Sequence, residues 1–164
     1  MLLRGDSAAQ ASELTVGGKA LGLSALDALG QRVPPWFVVP DAAFQAHLDS
    51  ALGDRLEAEL TRVPDLDQRA RDELGNALGR QIERAVLDDG LYIQLRDALE
   101  RLGEGPVAVR SSMSGEDSAS ASYAGQLETF LHRRSLEDVV VALKRCWASS
   151  LAGRVLSYRA AHEG

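Results

Sequence analysis

The stretch Pro106-Val107-Ala108-Val109-Arg110-Ser111-Ser112-Met113-Ser114-Gly115-Glu116-Asp117-Ser118-Ala119-Ser120-Ala121-Ser122-Tyr123-Ala124-Gly125-Gln126-Leu127-Glu128-Thr129-Phe130-Leu131 organises the rest of this chain. Its apolar opening, Val107-Ala108-Val109, suits a short buried strand that delivers Arg110 to its end. From Ser111 to Gly125 the residues are mostly Ser, Ala and Gly, with Glu116-Asp117 among them, so this segment has little to bury and many hydrogen-bonding groups. A second strand-like run, Leu127 to Leu131, follows. Strand, arginine, small polar loop and strand suit an anionic ligand, because loops on a rigid scaffold carry binding groups and a guanidinium forks onto phosphate. The same residues also fit a hairpin with a Ser-rich connection and an arginine that caps a surface. Spacing alone does not choose between the two.

Working outward, the N-terminal third repeats the theme. Val16-Gly17-Gly18-Lys19-Ala20 precedes an apolar helical pattern through Leu21, Leu23, Leu26 and Leu29, stopped by Gly30. Glycines before a helix permit close backbone approach at the positive end of the helix, with Lys19 as a cation beside them. Gly-Gly-Lys lacks the full spacing of a P-loop, and such a string alone is more often a turn with an exposed lysine. Val33-Pro34-Pro35 then forces an extended entry into Trp36-Phe37-Val38-Val39, a strand closed by Pro40. Asp41 is placed to cap a helix through Phe44, Leu48 and Leu52 that ends at Gly53. His47 on that helix has no second His or Cys nearby and reads as a packed or solvent-facing histidine.

The charged region from Asp54 to Leu102 predicts two or three surface helices with Leu74, Leu78 and Ile82 on the apolar stripe. Pairs such as Arg55–Glu59 and Asp97–Arg101 stand at helical spacing. After the central stretch, Ser135-Leu136-Glu137-Asp138 predicts a capping box, opening a helix through Val139, Leu143, Cys146 and Trp147. A last apolar pattern, Leu151 to Tyr158, is bent or divided at Gly153.

Composition bounds the function. The chain has 164 residues, 45% of them hydrophobic, enough for a real core in one domain or two small lobes. A net charge of −6 argues against non-specific nucleic-acid binding, so an anionic ligand has to be met by local cations. One cysteine, Cys146, permits no intrachain disulfide and supplies no metal framework. No apolar run is long enough to cross a bilayer, and the N-terminus lacks the apolar segment of a signal peptide, so the expected location is cytoplasmic.

Taken in order, Val16 to Ala20, Val33 to Val39, Val107 to Ser112, Gly115 to Asp117, Ser122 to Gln126, Thr129 to Leu131, Cys146 to Ser149 and Tyr158-Arg159 resemble successive blocks of one family. It is the N-terminal nucleotide-binding region of phosphoenolpyruvate synthase and pyruvate phosphate dikinase, shared by rifampicin phosphotransferase. The resemblance covers essentially all of residues 1–164 and implies an α+β fold, the first lobe of an ATP-grasp, with a small sheet packed against several helices.

In function the resemblance implies a phosphotransferase that uses ATP and Mg2+ and passes a phosphoryl group, through a phosphohistidine on another domain, to pyruvate or a different small acceptor. By matched position it assigns Lys19 to the nucleotide phosphates and makes Arg110 the catalytic clamp. Ser111, Ser112, Gly125, Gln126 and Thr129 would complete the ATP contacts, with the Ser111–Gly125 loop folding over the phosphates. Glu116 and Asp117 stay unassigned, and the metal ligands are expected outside this chain, as are a second ATP-grasp lobe and the phosphohistidine domain. None of His47, His132 and His162 sits in a phosphocarrier context. The chain is therefore expected to be part of a longer enzyme and inactive alone. A stand-alone, non-catalytic α/β interaction or regulatory module that kept the fold is the competing reading, and a nucleotide-sensing domain is a third.

Overall fold

The structure, a computed structural model, describes residues 2–4, 13–112, 117–118, 121–122 and 129–162. Its centre is a helix that the sequence placed on the surface. Helix α5 (Gln68–Arg84) follows α1 (Glu13–Val16), α2 (Gly18–Ala28), α3 (Asp41–Leu52) and α4 (Arg55–Arg62), the last leading into a 3-10 turn at Val63–Asp65. Gly75, Leu78, Gly79 and Ile82 recur at helical spacing on one buried face of α5, and Leu78 and Ile82 are 0% exposed. That face packs on α3, on α7 (Leu136–Ser149) and on α8 (Gly153–His162). Most charges of α5 are exposed around that face, which is why charge density suggested a solvated helix. Full burial of each large apolar side chain here contributes about 1.5–3 kcal/mol.

Two glycines set how closely these helices approach. A Cβ at Gly75 would stand 2.5 Å from the Leu151 carbonyl oxygen and 2.8 Å from the Gly153 nitrogen. One at Gly153 would meet Asp72 Cα at 2.7 Å. Gly153 thus begins α8 after the break that the sequence predicted, and it does so against the first turns of α5.

Leu48, Leu52, Leu143, Trp147 and Leu156 complete the main core, together with Leu91 and Leu95 of α6 (Asp89–Leu102). His47 belongs to it. The ring is 4% exposed, lies 4.9 Å from the Trp147 ring and places Nε2 2.9 Å from the Ile82 carbonyl oxygen. Because a carbonyl only accepts, Nε2 carries the proton and satisfies one of the carbonyls left over at the end of α5. Cys146 is buried in the core, as its apolar neighbours indicated.

Several local signals match the chain. Gly30 (φ 70) and Gly53 (φ 52) follow α2 and α3 in the left-handed region. Ser135 and Asp138 form both halves of a capping box at α7. Asp41, by contrast, is the first residue of α3 rather than its cap; Pro40 takes that position, and Asp41 acts through its charge on the helix end. Arg55 and Glu59 pair at 3.6 Å as spaced, while Asp97 is held by the adjacent Arg96 at 2.8 Å. The Arg96–Asp97 pair is exposed and the Arg55–Glu59 pair half-exposed, so each contributes little.

The strands form three separate two-stranded antiparallel ladders among the described residues. β1 (Leu3–Arg4) pairs with β2 (Phe37–Val38), although the sequence showed only a polar lead there. β3 (Val107–Arg110) pairs with β6 (Thr129–Arg133), with a bulge where His132 adopts φ 58. β4 (Asp117–Ser118) pairs with β5 (Ala121–Ser122) inside the stretch expected as open loop. Nor is β3 buried: Val107 and Val109 are half-covered, whereas Ala108 and Arg110 face solvent, as befits a ribbon lying on α7. The class is α+β, mostly helical with small antiparallel ladders.

Candidate functional site

The two stretches singled out by the sequence meet at one junction. Helix α2 begins at Gly18 with Gly17 as its cap residue at φ 78, no side-chain cap of its own and no acid in its first turn. Its cap is supplied from 92 residues away. Ser112 Oγ accepts the Ala20 N–H at 3.1 Å and donates to the Val16 carbonyl oxygen at 2.8 Å. Gly17 is buried at this contact, and a Cβ there would overlap the Ser112 carbonyl. The close backbone approach that a glycine allows is therefore made to the protein's own chain.

On one side of the junction Lys19 sits, half-buried, in the first turn of α2. A cation there opposes the helix dipole by a few tenths of a kcal/mol, an arrangement that an anion at the same helix end reverses. On the other side Arg110, exposed, ends β3 directly opposite Thr129 of β6. Opposed residues of a ladder present their side chains to one face, so Arg110 and Thr129 share a surface. Each cation is separated from the Gly17–Ser112 contact by two residues, a reach of about 7 Å at full extension. Ser111 separates Arg110 from Ser112 in the chain, and its Oγ is buried with no hydrogen-bond partner among the described residues. An orphaned buried hydroxyl costs about 1–3 kcal/mol until something pairs with it.

The structure thus gathers Lys19, Arg110, Ser111, Ser112 and Thr129 around one junction. Gly125, Gln126 and most of the Ser111–Gly125 loop lie outside the described residues, as do Glu116 and the Asp117 side chain, so the proposed phosphate cover is not among the described parts. No three His, Cys, Asp or Glu side chains among the described residues gather into a metal site. No described helix is long and apolar enough to cross a membrane.

The sequence reading missed how the two serines divide their work: Ser112 turns toward α2, and Ser111 has no partner among the described residues. Nothing in a Ser-Ser dipeptide signals which hydroxyl faces where. A separate trough of about 440 Å³ between α5 and α7–α8 is lined by Asn76, Arg80, Glu83, Arg145 and Arg154, with Arg145 3.8 Å from Glu83. It includes none of the residues assigned to phosphate.

Comparison with known proteins agrees with the resemblance. A family model described as the pyruvate phosphate dikinase AMP/ATP-binding domain matches residues 13–163. A rifampicin phosphotransferase from a Streptomyces species is 37% identical over 148 residues, covering 88% of this chain and 17% of the relative. A phosphoenolpyruvate synthase of Deinococcus radiodurans is 35% identical over 150 residues (90% and 19%), and one of Pseudomonas aeruginosa is 36% identical over 158 (91% and 20%). The chain spans about a fifth of the length of these relatives.

Proposed function

The chain belongs to the pyruvate phosphate dikinase AMP/ATP-binding domain family, and from that premise we propose that it is the first ATP-grasp lobe of a longer phosphotransferase. In this reading Lys19 and Arg110 grip the triphosphate from two sides, Ser111 donates its unpaired hydroxyl to a phosphate oxygen, and Thr129 lies beside the nucleotide. Gly125 and Gln126 belong to a cover over the phosphates. A second lobe, with the magnesium ligands, completes the cleft; a phosphohistidine domain takes the phosphoryl group and hands it to pyruvate or another small acceptor.

The supporting observation is the Gly17–Ser112 junction, which joins two segments far apart in sequence, each ending in a cation. Phosphoryl transfer asks little covalent chemistry of the protein; it needs fixed positive charge where negative charge spreads over the transferred group. Lys19 and Arg110 meet that need from this side only. The 164 residues alone are therefore expected neither to hydrolyse ATP nor to phosphorylate pyruvate.

The test is Arg110→Ala in the longer enzyme. Loss of a transition-state clamp lowers kcat by about 10²–10³ with the fold intact. Near-normal turnover sinks the assignment of Arg110 as a clamp and makes the junction only structural.

A further inference from the structure

We infer that Ser112 is a positioning residue: its hydroxyl clamps the start of α2 to the end of β3 and thereby sets the spacing between Lys19 and Arg110. The functional half of this inference rests on the nucleotide-binding reading above; the structural half does not. Three features carry it. The hydroxyl is used in both directions, accepting from Ala20 N–H at 3.1 Å and donating to the Val16 carbonyl at 2.8 Å. Val16 and Ala20 are 3% and 4% exposed, so these backbone groups have little access to water as a substitute partner. The buried Gly17, at φ 78, leaves no room for a side chain between the two segments, so the contact is backbone against backbone and cannot slide without breaking both bonds.

A hydroxyl so engaged has little left to offer a ligand. Its proton is on Val16 and one lone pair is on Ala20. Ser112 therefore acts through others, whereas Ser111, one residue nearer Arg110, keeps a buried hydroxyl with no partner among the described residues. Adjacent serines thus differ: one holds the junction, and the other has no hydrogen-bond partner among the described residues. Misplacing one of two groups that must converge on the same phosphates by about 1 Å weakens their joint action steeply.

The experiment uses the 164-residue chain and reads amide exchange and ATP-induced NMR shifts in the wild type, Ser112→Ala and Ser112→Thr. In S112A the Ala20 amide is expected to exchange about tenfold faster. Shifts induced by ATP at Lys19 and Arg110 should need about tenfold more nucleotide. S112T, which keeps the hydroxyl, should restore both. Unchanged Ala20 protection in S112A overturns the clamp. Weaker ATP response with Ala20 protection intact also overturns it, since Ser112 would then touch the nucleotide directly. Lost protection with an unaltered ATP response refutes the spacing role. If even the wild type shows no ATP response, the nucleotide reading fails, while Ala20 exchange still decides whether Ser112 clamps the junction. Should S112A not fold, S112T decides alone: Ala20 protection near the wild-type level supports the clamp, and its loss contradicts it.

Discussion

Replacing single helical glycines by alanine should change stability in opposite directions, and the sign can be worked out for each. Alanine in a helix interior is favoured over glycine by about 1 kcal/mol. At Gly22, on the exposed side of α2, an added Cβ meets nothing within 4 Å, so most of that gain should appear. At Gly79 the nearest atom is Ala148 Cβ at 3.5 Å, an ordinary contact, so the gain should largely survive. Gly75 is different. There the new methyl stands 2.5 Å from the Leu151 carbonyl oxygen and 2.8 Å from the Gly153 nitrogen, which are backbone atoms fixed by α7 and α8. Neither can rotate away as a side chain could. Relief requires the two chains to part by roughly an ångström, opening the core beside Leu78 and Ile82, and overpacking of this kind costs about 1–3 kcal/mol. The net expectation for Gly75→Ala is a loss of up to about 2 kcal/mol, against a gain of about 0.5–1 for Gly22→Ala. Urea denaturation with unchanged slope measures both as shifts in midpoint, and thermal melts should separate the two by up to about 12 °C in Tm. A Gly75→Ala chain as stable as Gly79→Ala would refute the claim that α5 is the tightly approached centre of the fold.

His47→Ala should cost about 2–4 kcal/mol, since it empties space against Trp147 and leaves the Ile82 carbonyl unpaired; urea midpoints will show it, and a loss below 1 would mean that the ring is only loosely held. Ser135→Ala, removing the hydroxyl that accepts the Asp138 N–H at 3.0 Å, should destabilise by about 1 kcal/mol, read in the same way. The N–H groups of Arg134 and Ser135 hold the Asp138 carboxyl below its ordinary 3.8. A lowered folded-state value means that its contribution is complete above the unfolded value and is lost as pH falls through the folded one. Helix α7 should therefore loosen at its start in acid, seen as faster exchange of the Asp138 amide, and Asp138→Asn should abolish that pH dependence.

Much of this was legible because it is written locally. Gly30 and Gly53 stop helices through their own backbone freedom, and Ser135 with Asp138 caps α7 within a single turn. Pro34-Pro35 sets up the extended entry to β2. What was not legible depends on partners distant in the chain. The charges of α5 dominate its composition, yet its buried face includes two glycines, which carry no hydrophobic signal at all. Strand β1 is two residues long, too short for any periodicity. Val107 and Val109 look like core residues, but their partner strand and α7 cover only one side of them. At the candidate site, Gly-Gly-Lys and Arg-Ser-Ser were visible as strings, while their meeting through Ser112 and Gly17 is a tertiary fact that no spacing rule contains.

The central claim, that Lys19 and Arg110 form two sides of one phosphate grip, is tested most directly by titrating the 164-residue chain with ATP while following backbone amides by NMR. The account predicts shifts concentrated at residues 17–20 and 109–112, weak in affinity because one lobe is present, and lost together in Arg110→Ala while the core amides stay unmoved. Shifts confined to the Arg80–Arg145–Arg154 trough, or shifts near Lys19 that persist unchanged in Arg110→Ala, would contradict it.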